Sequence, residues 1–285
     1  MPPLLNLQTP APDDPADADI LFVGTATLVI RLGGFTVLTD PNFLHQGEHA
    51  TLGYGLRSPR RTEPAIGIDD LPDIDLVVLS HHHGDHFDEV AATNLDRELP
   101  IVTTRHAAAK LRRQGFRRPI ALTRWSSQIV TRGSHRLRIT AMPGKHAPQP
   151  LGGLLPPVMG SMLEYANGSG TAFRLYLSGD TLVHDHLAEI PRRYPDIDLA
   201  VLHLGGTRIL GVLLTMDGAQ GVEALRLLHP REALPVHYDD YGVFKSPLSD
   251  FTAALAAAGD VDTVVHVLDR GEHLRFRVPS LQPSE

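Results

Sequence analysis

The sequence predicts an α+β fold in which two mixed β-sheets pack face to face, with helices on their outer faces. Two observations predict it. Apolar runs with the length and alternation of β-strands fall into two groups, and helical segments follow each group. No linker or shift in composition separates the two halves, so their apolar faces can be buried against each other. We therefore expect a single domain over residues 19–285.

The first half begins with residues 1–18, which are rich in Pro, Ala and Asp and are expected to form a flexible arm. Residues 41–70 lack hydrophobic periodicity and are expected to form a long loop, and loops of that length are often functional. The apolar patterns predict strands at residues 20–23, 28–32, 35–38, 74–79 and 100–103, and helices at 88–99 and 105–114.

The second half repeats this order of strands and helices. The patterns predict strands at residues 128–131, 136–141, 161–165, 172–177, 197–204 and 233–236. They predict helices at 185–193, between Asp217 and Pro230, and at 248–258. Residues 263–267 and 274–278 are predicted to close the chain as a hairpin around Gly271.

Composition narrows the class of protein. The formal net charge of -7 gives no indication of nucleic-acid binding, which favours a basic surface. The absence of cysteine excludes disulfides and thiolate metal sites, and it fits a reducing cytoplasm. The N-terminal pattern does not predict a signal peptide, and no apolar run has the length of a transmembrane helix. The 16 histidines favour metal or proton chemistry.

The most informative stretch runs from Ser80 to His86 and reads Ser-His-His-His-Gly-Asp-His, directly after the buried strand predicted at 74–79. Side chains two apart on an extended strand share a face, so His81 and His83 can point together. Gly84 is expected to allow a sharp turn, after which Asp85 and His86 supply further donors. Two adjacent donor sets suit two cations, which hydrolytic sites hold about 3.5–4 Å apart. The alternative is a solvated polar turn.

The pattern His81-x-His83-x-Asp85-His86 resembles the signature of the metallo-β-lactamase superfamily. The resemblance implies a four-layer αβ/βα sandwich with metals at one edge of the sheets. Three later positions match further motifs of that family, each at the end of a predicted strand. They are His146 in Pro-x-x-His, Asp180 in Gly-Asp-Thr and His237 in Pro-x-His.

The resemblance implies a dinuclear centre and hence a hydrolase domain over residues 19–285. The implied ligands are His81, His83 and His146 for one metal and Asp85, His86 and His237 for the other, with Asp180 as the bridge. Zinc is the first expectation for an imidazole-rich site, with manganese or iron as alternatives. A water between the metals would ionise near neutral pH and attack a carbonyl or phosphorus centre. Asp85 would orient this nucleophile or shuttle its proton.

Five other residues are candidates for supporting the ligands or contacting substrate. Asp40 matches a family Asp-Pro turn whose Asp supports the ligands, although a turn Asp can also bond its own backbone. His203 is either such a residue or a buried histidine satisfied within the core. Arg57 and Arg60, together with the neighbouring Arg61, either hold an anionic group or belong to a solvated face. Tyr241, shortly after the last ligand motif, is the fifth.

The Thr39-Asp40-Pro41 turn, the Arg60-Arg61 loop, Leu71-Pro72-x-Ile74-Asp75 before the metal motif and Asp198-Leu199-Ala200 after Gly-Asp-Thr resemble one branch of the family. That branch contains the N-acylphosphatidylethanolamine-hydrolysing phospholipase D and the ascorbate-6-phosphate lactonase. Thr25 stands where the family often has His, and Ala147 and Tyr238 stand where the phospholipase has Trp. Lipid specificity is therefore not carried over. The acidic pair Asp239-Asp240 would also disfavour an anionic substrate if it faced the pocket.

Three functions follow as expectations. The first is hydrolysis of a small ester, lactone or amide by a metal-bound hydroxide. The second is hydrolysis of a phosphate ester or phospholipid, and the third is a non-hydrolytic redox or sensing role for the bound metal. We expect an enzyme that acts on a small-molecule substrate in the cytoplasm, and the sequence leaves homo-oligomerisation open.

Overall fold

A computed structural model of the protein describes residues 4–7, 17–53, 55–148, 155–167, 170–209 and 211–278. The strands are β1 (Leu4–Asn6), β2 (Asp17–Gly24), β3 (Thr27–Leu32), β4 (Phe35–Thr39), β5 (His49–Gly53), β6 (Leu56–Pro59), β7 (Leu76–Val78), β8 (Ile101–Thr104), β9 (Pro119–Leu122), β10 (Ser127–Arg132), β11 (His135–Met142), β12 (Gly160–Asn167), β13 (Gly170–Leu177), β14 (Leu199–His203), β15 (Arg208–Ile209), β16 (Val212–Leu213), β17 (Glu232–Val236), β18 (Val264–Val265) and β19 (His273–Arg277). The α-helices are α1 (Glu89–Asn94), α2 (Arg105–Arg113), α3 (Glu189–Arg193), α4 (Gly218–Leu228) and α5 (Leu248–Ala258), and 3₁₀ turns occur at Ile68–Asp70 and Asp185–Ala188.

Two mixed sheets form the centre of the molecule. The seven-stranded sheet has the order β19-β2-β3-β4-β7-β8-β9, antiparallel up to β4 and parallel beyond it. The eight-stranded sheet has the order β1-β10-β11-β12-β13-β14-β17-β18, antiparallel from β10 to β13 and parallel from β13 onward. Two small hairpins, β5-β6 and β15-β16, form separate two-stranded sheets.

The main core lies between the two sheets. Ile20 and Val37 of the seven-stranded sheet share one buried cluster with Ile139, Leu163 and Val201 of the eight-stranded sheet. Burying each such side chain stabilises the fold by about 1.5–3 kcal/mol. On the outer faces, α1 and α2 pack in a second cluster with β7 and β8, while α4 and α5 pack in a third with β14. The predicted four-layer sandwich is confirmed.

Helix ends follow local chemistry. The side chain of Asp88 caps α1 by accepting from the backbone N–H of Ala91, as expected for an N-cap. This helix ends at Asn94 because Leu95 is already extended, so it is shorter than the predicted 88–99. Helix α5 matches its predicted bounds. Among the described residues, no helix combines the length and apolar character needed to cross a membrane.

Three expectations differ from the structure. The predicted final hairpin is wrong: β18 pairs with β17 in one sheet, whereas β19 pairs with β2 in the other. The region 41–70 is not all loop, since it contains the β5-β6 hairpin. Residues 4–6 of the expected arm pair with β10, and residues 1–3 and 8–16 of that arm lie outside the described residues.

Candidate metal centre

The candidate ligands emerge from one edge of the sandwich. The chain segment after β7 carries His81 and His83, and the segments after β11, β13 and β17 carry His146, Asp180 and His237. These strands run in the same direction within their sheets, so their carboxyl ends meet at a common edge. The fold therefore brings together residues that lie far apart in the sequence.

All seven predicted ligands fall into two buried groups. The first consists of His81, His83 and His146, and the second of Asp85, His86, Asp180 and His237; in each group the nitrogen or oxygen atoms lie within 4.8 Å of one another. In the first group, Nε2 of His81 is 3.0 Å from Nδ1 of His83. In the second, Nε2 of His86 is 3.2 Å from Oδ2 of Asp180.

The carboxylate of Asp180 occupies a central position. Its Oδ2 faces His86, while its Oδ1 is 3.8 Å from Nε2 of His237. Burial would raise the pKa of Asp180, but the neighbouring histidines of both groups, led by His237 and His86 and including His81, hold it well below its usual value. The carboxylate is thus ionised and within electrostatic reach of both groups.

The protonation of the first group suits metal binding. Burial lowers the pKa of His83 to about 3 and holds that of His81 well below its usual value. Burial also lowers the pKa of His146. These three imidazoles are therefore neutral at pH 7, and a neutral imidazole is the form that binds a metal.

The second group behaves differently. Burial alone would lower the pKa of His86, but the carboxylates of Asp180, Asp85 and Asp40 outweigh it and raise this pKa well above its usual value. The pKa of His237 is raised in the same way, against its burial, by Asp180 and Asp85. The excess negative charge here attracts protons, and a divalent cation can replace them.

Unpaired polar atoms show that the residues are suited to binding metal. Among the described residues, five buried atoms of the two groups make no hydrogen bond of acceptable geometry, although Nε2 of His86 is close to Asp180: they are Oδ1 of Asp85 and Asp180, and Nε2 of His86, His146 and His237. Leaving a buried polar atom unpaired costs about 1–3 kcal/mol, so a cluster of them requires an explanation. All five atoms are nitrogen or carboxylate oxygen, the donors that zinc, manganese and iron accept.

A second layer of contacts orients the ligand rings. Nδ1–H of His146 donates to the carbonyl of Leu214, and Nδ1–H of His237 donates to that of Leu204, each over 3.2 Å. The hydroxyl of Ser80 lies 3.0 Å from Nδ1 of His81. These contacts hold the proton on Nδ1 and leave Nε2 available to a cation.

Asp40 lies beside the centre, where the sequence predicted a supporting residue. Its Oδ2 is 3.0 Å from Nδ1 of His86, and its two oxygens accept from the backbone and hydroxyl of Ser80. Burial opposes ionisation, but His86 and His203 bring the pKa of Asp40 down to about 2. His203 faces Asp40 at 3.3 Å and Ser178 at 3.2 Å, so the structure places it behind Asp40 and outside both ligand groups.

The other three substrate candidates differ in how exposed they are. Arg57 is exposed on β6. Arg60 is buried, lies 3.6 Å from Asp240 and donates to Asn42, which also accepts from the hydroxyl of buried Tyr241. The placement of Arg60 and Tyr241 favours a supporting role over contact with substrate.

Sequence reasoning missed the buried network around Asp240. This carboxylate accepts from the backbone N–H of Thr25, from Thr62 and from Arg270. The carbonyl of Thr25 also accepts a hydrogen bond from the backbone N–H of His237 over 2.8 Å. His237 has a φ of 64°, which lies in the left-handed region. The only sequence signal was the departure from the family motif at Thr25. The negative charge of Asp240 is balanced within the protein by Arg60 and Arg270.

Comparisons with known proteins agree with this geometry. Residues 36–238 match a family model described as the beta-lactamase superfamily domain. A metal-dependent hydrolase of Cupriavidus metallidurans is 26% identical over 279 residues, which cover 92% of this chain and 86% of the relative. An N-acyl-phosphatidylethanolamine-hydrolyzing phospholipase D of Caenorhabditis elegans is 25% identical over 275 residues, covering 88% of this chain and 74% of the relative.

Solved structures support the fold. The crystal structure of an isothiocyanate hydrolase from Delia radicum gut bacteria superposes with a TM-score of 0.75 at 22% sequence identity. The superposition covers 91% of this chain and 99% of that chain. At this level of identity the likeness concerns the fold, and it extends over nearly the whole of both molecules.

Proposed function

The chain belongs to the metallo-β-lactamase superfamily and is a metal-dependent hydrolase, and from this premise we propose that it uses two divalent cations to hydrolyse a small ester, lactone or amide. The observation that carries the proposal is the convergence of five unpaired, buried metal-binding atoms in two adjacent groups. Such cations, when bound, lower the pKa of a shared water and polarise the bond to be cleaved.

The residues have distinct proposed roles. His81, His83 and His146 would hold one cation, and Asp85, His86 and His237 would hold the other. Asp180 would contact both cations, because its carboxylate lies beside His86 and His237 of the second group and interacts electrostatically with His81 of the first. Zinc is our first choice because imidazole supplies most of the donors, with manganese or iron as alternatives. We further propose that residues 19–285 act as one hydrolase domain.

Asp85 is the proposed proton acceptor. Its Oδ2 is 3.6 Å from Nε2 of His237, and its Oδ1 has no partner among the described residues. Burial would raise its pKa, but His86 and His237 lower it, so the group is ionised at neutral pH. An ionised carboxylate with one unpaired oxygen can orient a water and hold its proton.

A second candidate function is hydrolysis of a phosphate ester or phospholipid. The observation that favours it is the relative from Caenorhabditis elegans, whose name describes hydrolysis of a phospholipid. Exposed Arg57 and Arg61 lie on the hairpin and just beyond it, where guanidinium groups are accessible to a phosphate.

One screen separates the two candidates. The zinc-loaded protein is assayed on lactones, aryl esters, amides and bis-p-nitrophenyl phosphate, together with the variants Arg57→Gln and Arg61→Gln. Arg226→Gln, on the exposed face of α4, is the matched control. Turnover of a lactone, ester or amide that all three variants retain supports the first function. Turnover confined to the phosphate diester, lost in the Arg57 and Arg61 variants only, supports the second.

The remaining finer expectations stay predictions. They are the cytoplasmic location, which rests on the absence of cysteine, and the homo-oligomer that the sequence leaves open. Absence of turnover on every substrate of the screen by a protein that binds two zinc ions would contradict the hydrolytic proposal and favour the redox or sensing role.

A further inference from the structure

One ligand histidine differs from the other four in its surroundings. The rings of His81, His86, His146 and His237 each have a hydrogen-bonding group of the protein at Nδ1. His83 presents Nδ1 to the ligand group, 3.0 Å from Nε2 of His81, so a cation held by Nδ1 would leave the proton of the neutral ring on Nε2. Within the described part of the chain, no protein atom accepts a hydrogen bond from that nitrogen. Metal-binding histidines nearly always have such an acceptor.

The unpaired nitrogen lies beside a cavity. A cavity of about 270 Å³, partly open to solvent, lies between β5 of the hairpin on one side and α1 and α2 on the other, and His83 and Gly53 both line it. A Cβ on Gly53 would lie 3.8 Å from Nε2 of His83, so this edge of the ring faces the hairpin side of the cavity. The volume suits a ligand of a few non-hydrogen atoms, since drug-sized molecules need about 300–1,000 Å³.

The charges around the cavity favour an anion. Lys110 of α2 lines it, together with the polar side chains of His82 and Gln114, and Nε2 of His82 is 3.1 Å from Oε1 of Gln114. Helix α2 carries Lys110, Arg112 and Arg113 in its last turn, and of these three Lys110 lines the cavity.

Two acids, Asp88 and Glu89, also line the cavity. The carboxylate of Asp88 is already occupied, because it accepts from the backbone N–H groups of Phe43, Leu44 and Ala91. Glu89 is exposed to solvent, where its charge is screened. The groups on the cavity wall that can bind an anion therefore include the Nε2–H of His83 and the ammonium group of Lys110.

We propose that this cavity, which we call the His83 cavity, binds a small oxyanion, a carboxylate or a phosphate. The anion accepts the Nε2–H of His83 and pairs with the ammonium group of Lys110. It thereby supplies the outer partner that the protein supplies to the other ligand histidines. The inference rests on the proposed metal-binding role of His83.

The proposal couples the anion to the metal. An acceptor at Nε2 makes Nδ1 a stronger donor to the cation, and outer partners of this kind change metal affinity about 10–100-fold. Because linkage is reciprocal, bound metal must raise the affinity for the anion by the same factor by which bound anion raises the affinity for the metal.

Calorimetric titration with sodium acetate and with inorganic phosphate tests the proposal, using metal-free and zinc-loaded protein. We expect one saturable site in both forms, about 10-fold tighter with zinc, and no site for the neutral isostere acetamide. The tighter of the two probes identifies the class of oxyanion. Lys110→Met should weaken binding at least about 10-fold, because it removes the counter-charge of the anion. Arg113→Met, on the same helix but not lining the cavity, should bind as the wild type does.

Three results would overturn the proposal. They are the absence of a saturable site, equal binding by the wild type and Lys110→Met, and binding seen only with zinc, which would place the anion on the metals. Zinc titration without anion tests the metal centre by itself. Weak zinc binding in that titration would refute the proposed function. The anion site would still be tested by the titration of metal-free protein with acetate and phosphate.

Discussion

The carboxylate of Asp40 lies 3.0 Å from Nδ1 of His86, on the opposite side of the ring from the Nε2 that faces Asp180. The same carboxylate accepts the hydroxyl of Ser80, and that hydroxyl lies 3.0 Å from Nδ1 of His81. One buried acid at the end of β4 thus orients a ligand of each metal group. It joins the two groups through contacts outside the ligand atoms themselves.

Replacing Asp40 should weaken metal binding. We expect Asp40→Asn to lower zinc affinity about 10–100-fold, because an amide supports His86 less well than a carboxylate does. Competition with a chelator measures the affinity. Asp198→Asn is the control, since Asp198 accepts from the backbone N–H of Arg174 rather than from a ligand. Equal affinities in the two variants would contradict the role of Asp40.

Gly84 is needed for close approach rather than for a left-handed turn. Its φ is not among the positive values, but a Cβ at this position would lie 2.6 Å from the backbone nitrogen of Thr51 in β5. Gly84→Ala should therefore displace the hairpin or the metal motif, cost about 1–3 kcal/mol in unfolding free energy and weaken zinc binding.

The matched control for Gly84 is Gly133→Ala, at a turn where a Cβ would meet no atom within 4 Å. This control has a φ of 58°, so it incurs backbone strain but should leave zinc affinity unchanged. Urea unfolding and chelator competition on both variants provide the comparison. An unaltered zinc affinity in Gly84→Ala would contradict the close-approach argument.

Sequence alone placed the ligand motifs well, because each follows a recognisable strand and the strand ends share one sheet edge. It predicted His81, His83 and Asp85 as ligands from their spacing within six residues. It could not pair Arg60 with Asp240, since nothing local to either residue signals a contact between distant loops. For the same reason it joined residues 263–267 to 274–278, although longer-range pairing places them in different sheets.

The buried acid Asp240 should be a strong determinant of stability. Asp240→Ala leaves Arg60 buried without its counter-charge, which should cost about 3–5 kcal/mol in unfolding free energy. Arg60→Met should cost less, because Asp240 keeps Arg270 as a partner. Asp260→Ala, which breaks an exposed pair with Arg226, should have no measurable effect. Urea denaturation tests this order of unfolding free energies. An Arg60→Met variant that is less stable than Asp240→Ala would refute it.

Acid should destabilise the metal-free protein through His83. Its folded pKa of about 3 lies below the usual 6.5, so the unfolded chain binds one more proton between these values. Stability then rises with pH and is lost as the pH falls from about 6.5 toward 3, by about 1.4 kcal/mol per pH unit.

The variant His83→Gln lacks this titration. Between pH 7 and 5, the unfolding free energy of the wild type should therefore fall more steeply with pH than that of the variant. The difference in slope approaches the value for the uptake of one proton on unfolding. Denaturant unfolding in the presence of a chelator measures both slopes. Identical slopes would show that His83 is not held neutral by burial.

The central claim is that seven residues hold two divalent cations with Asp180 between them. Equilibrium dialysis against zinc followed by elemental analysis, on the wild type and on Asp180→Ala, tests it most directly. We predict two zinc ions per chain in the wild type, and loss of one of them in the variant together with most of the turnover. One ion or fewer in the wild type, or two ions in Asp180→Ala, would contradict the account.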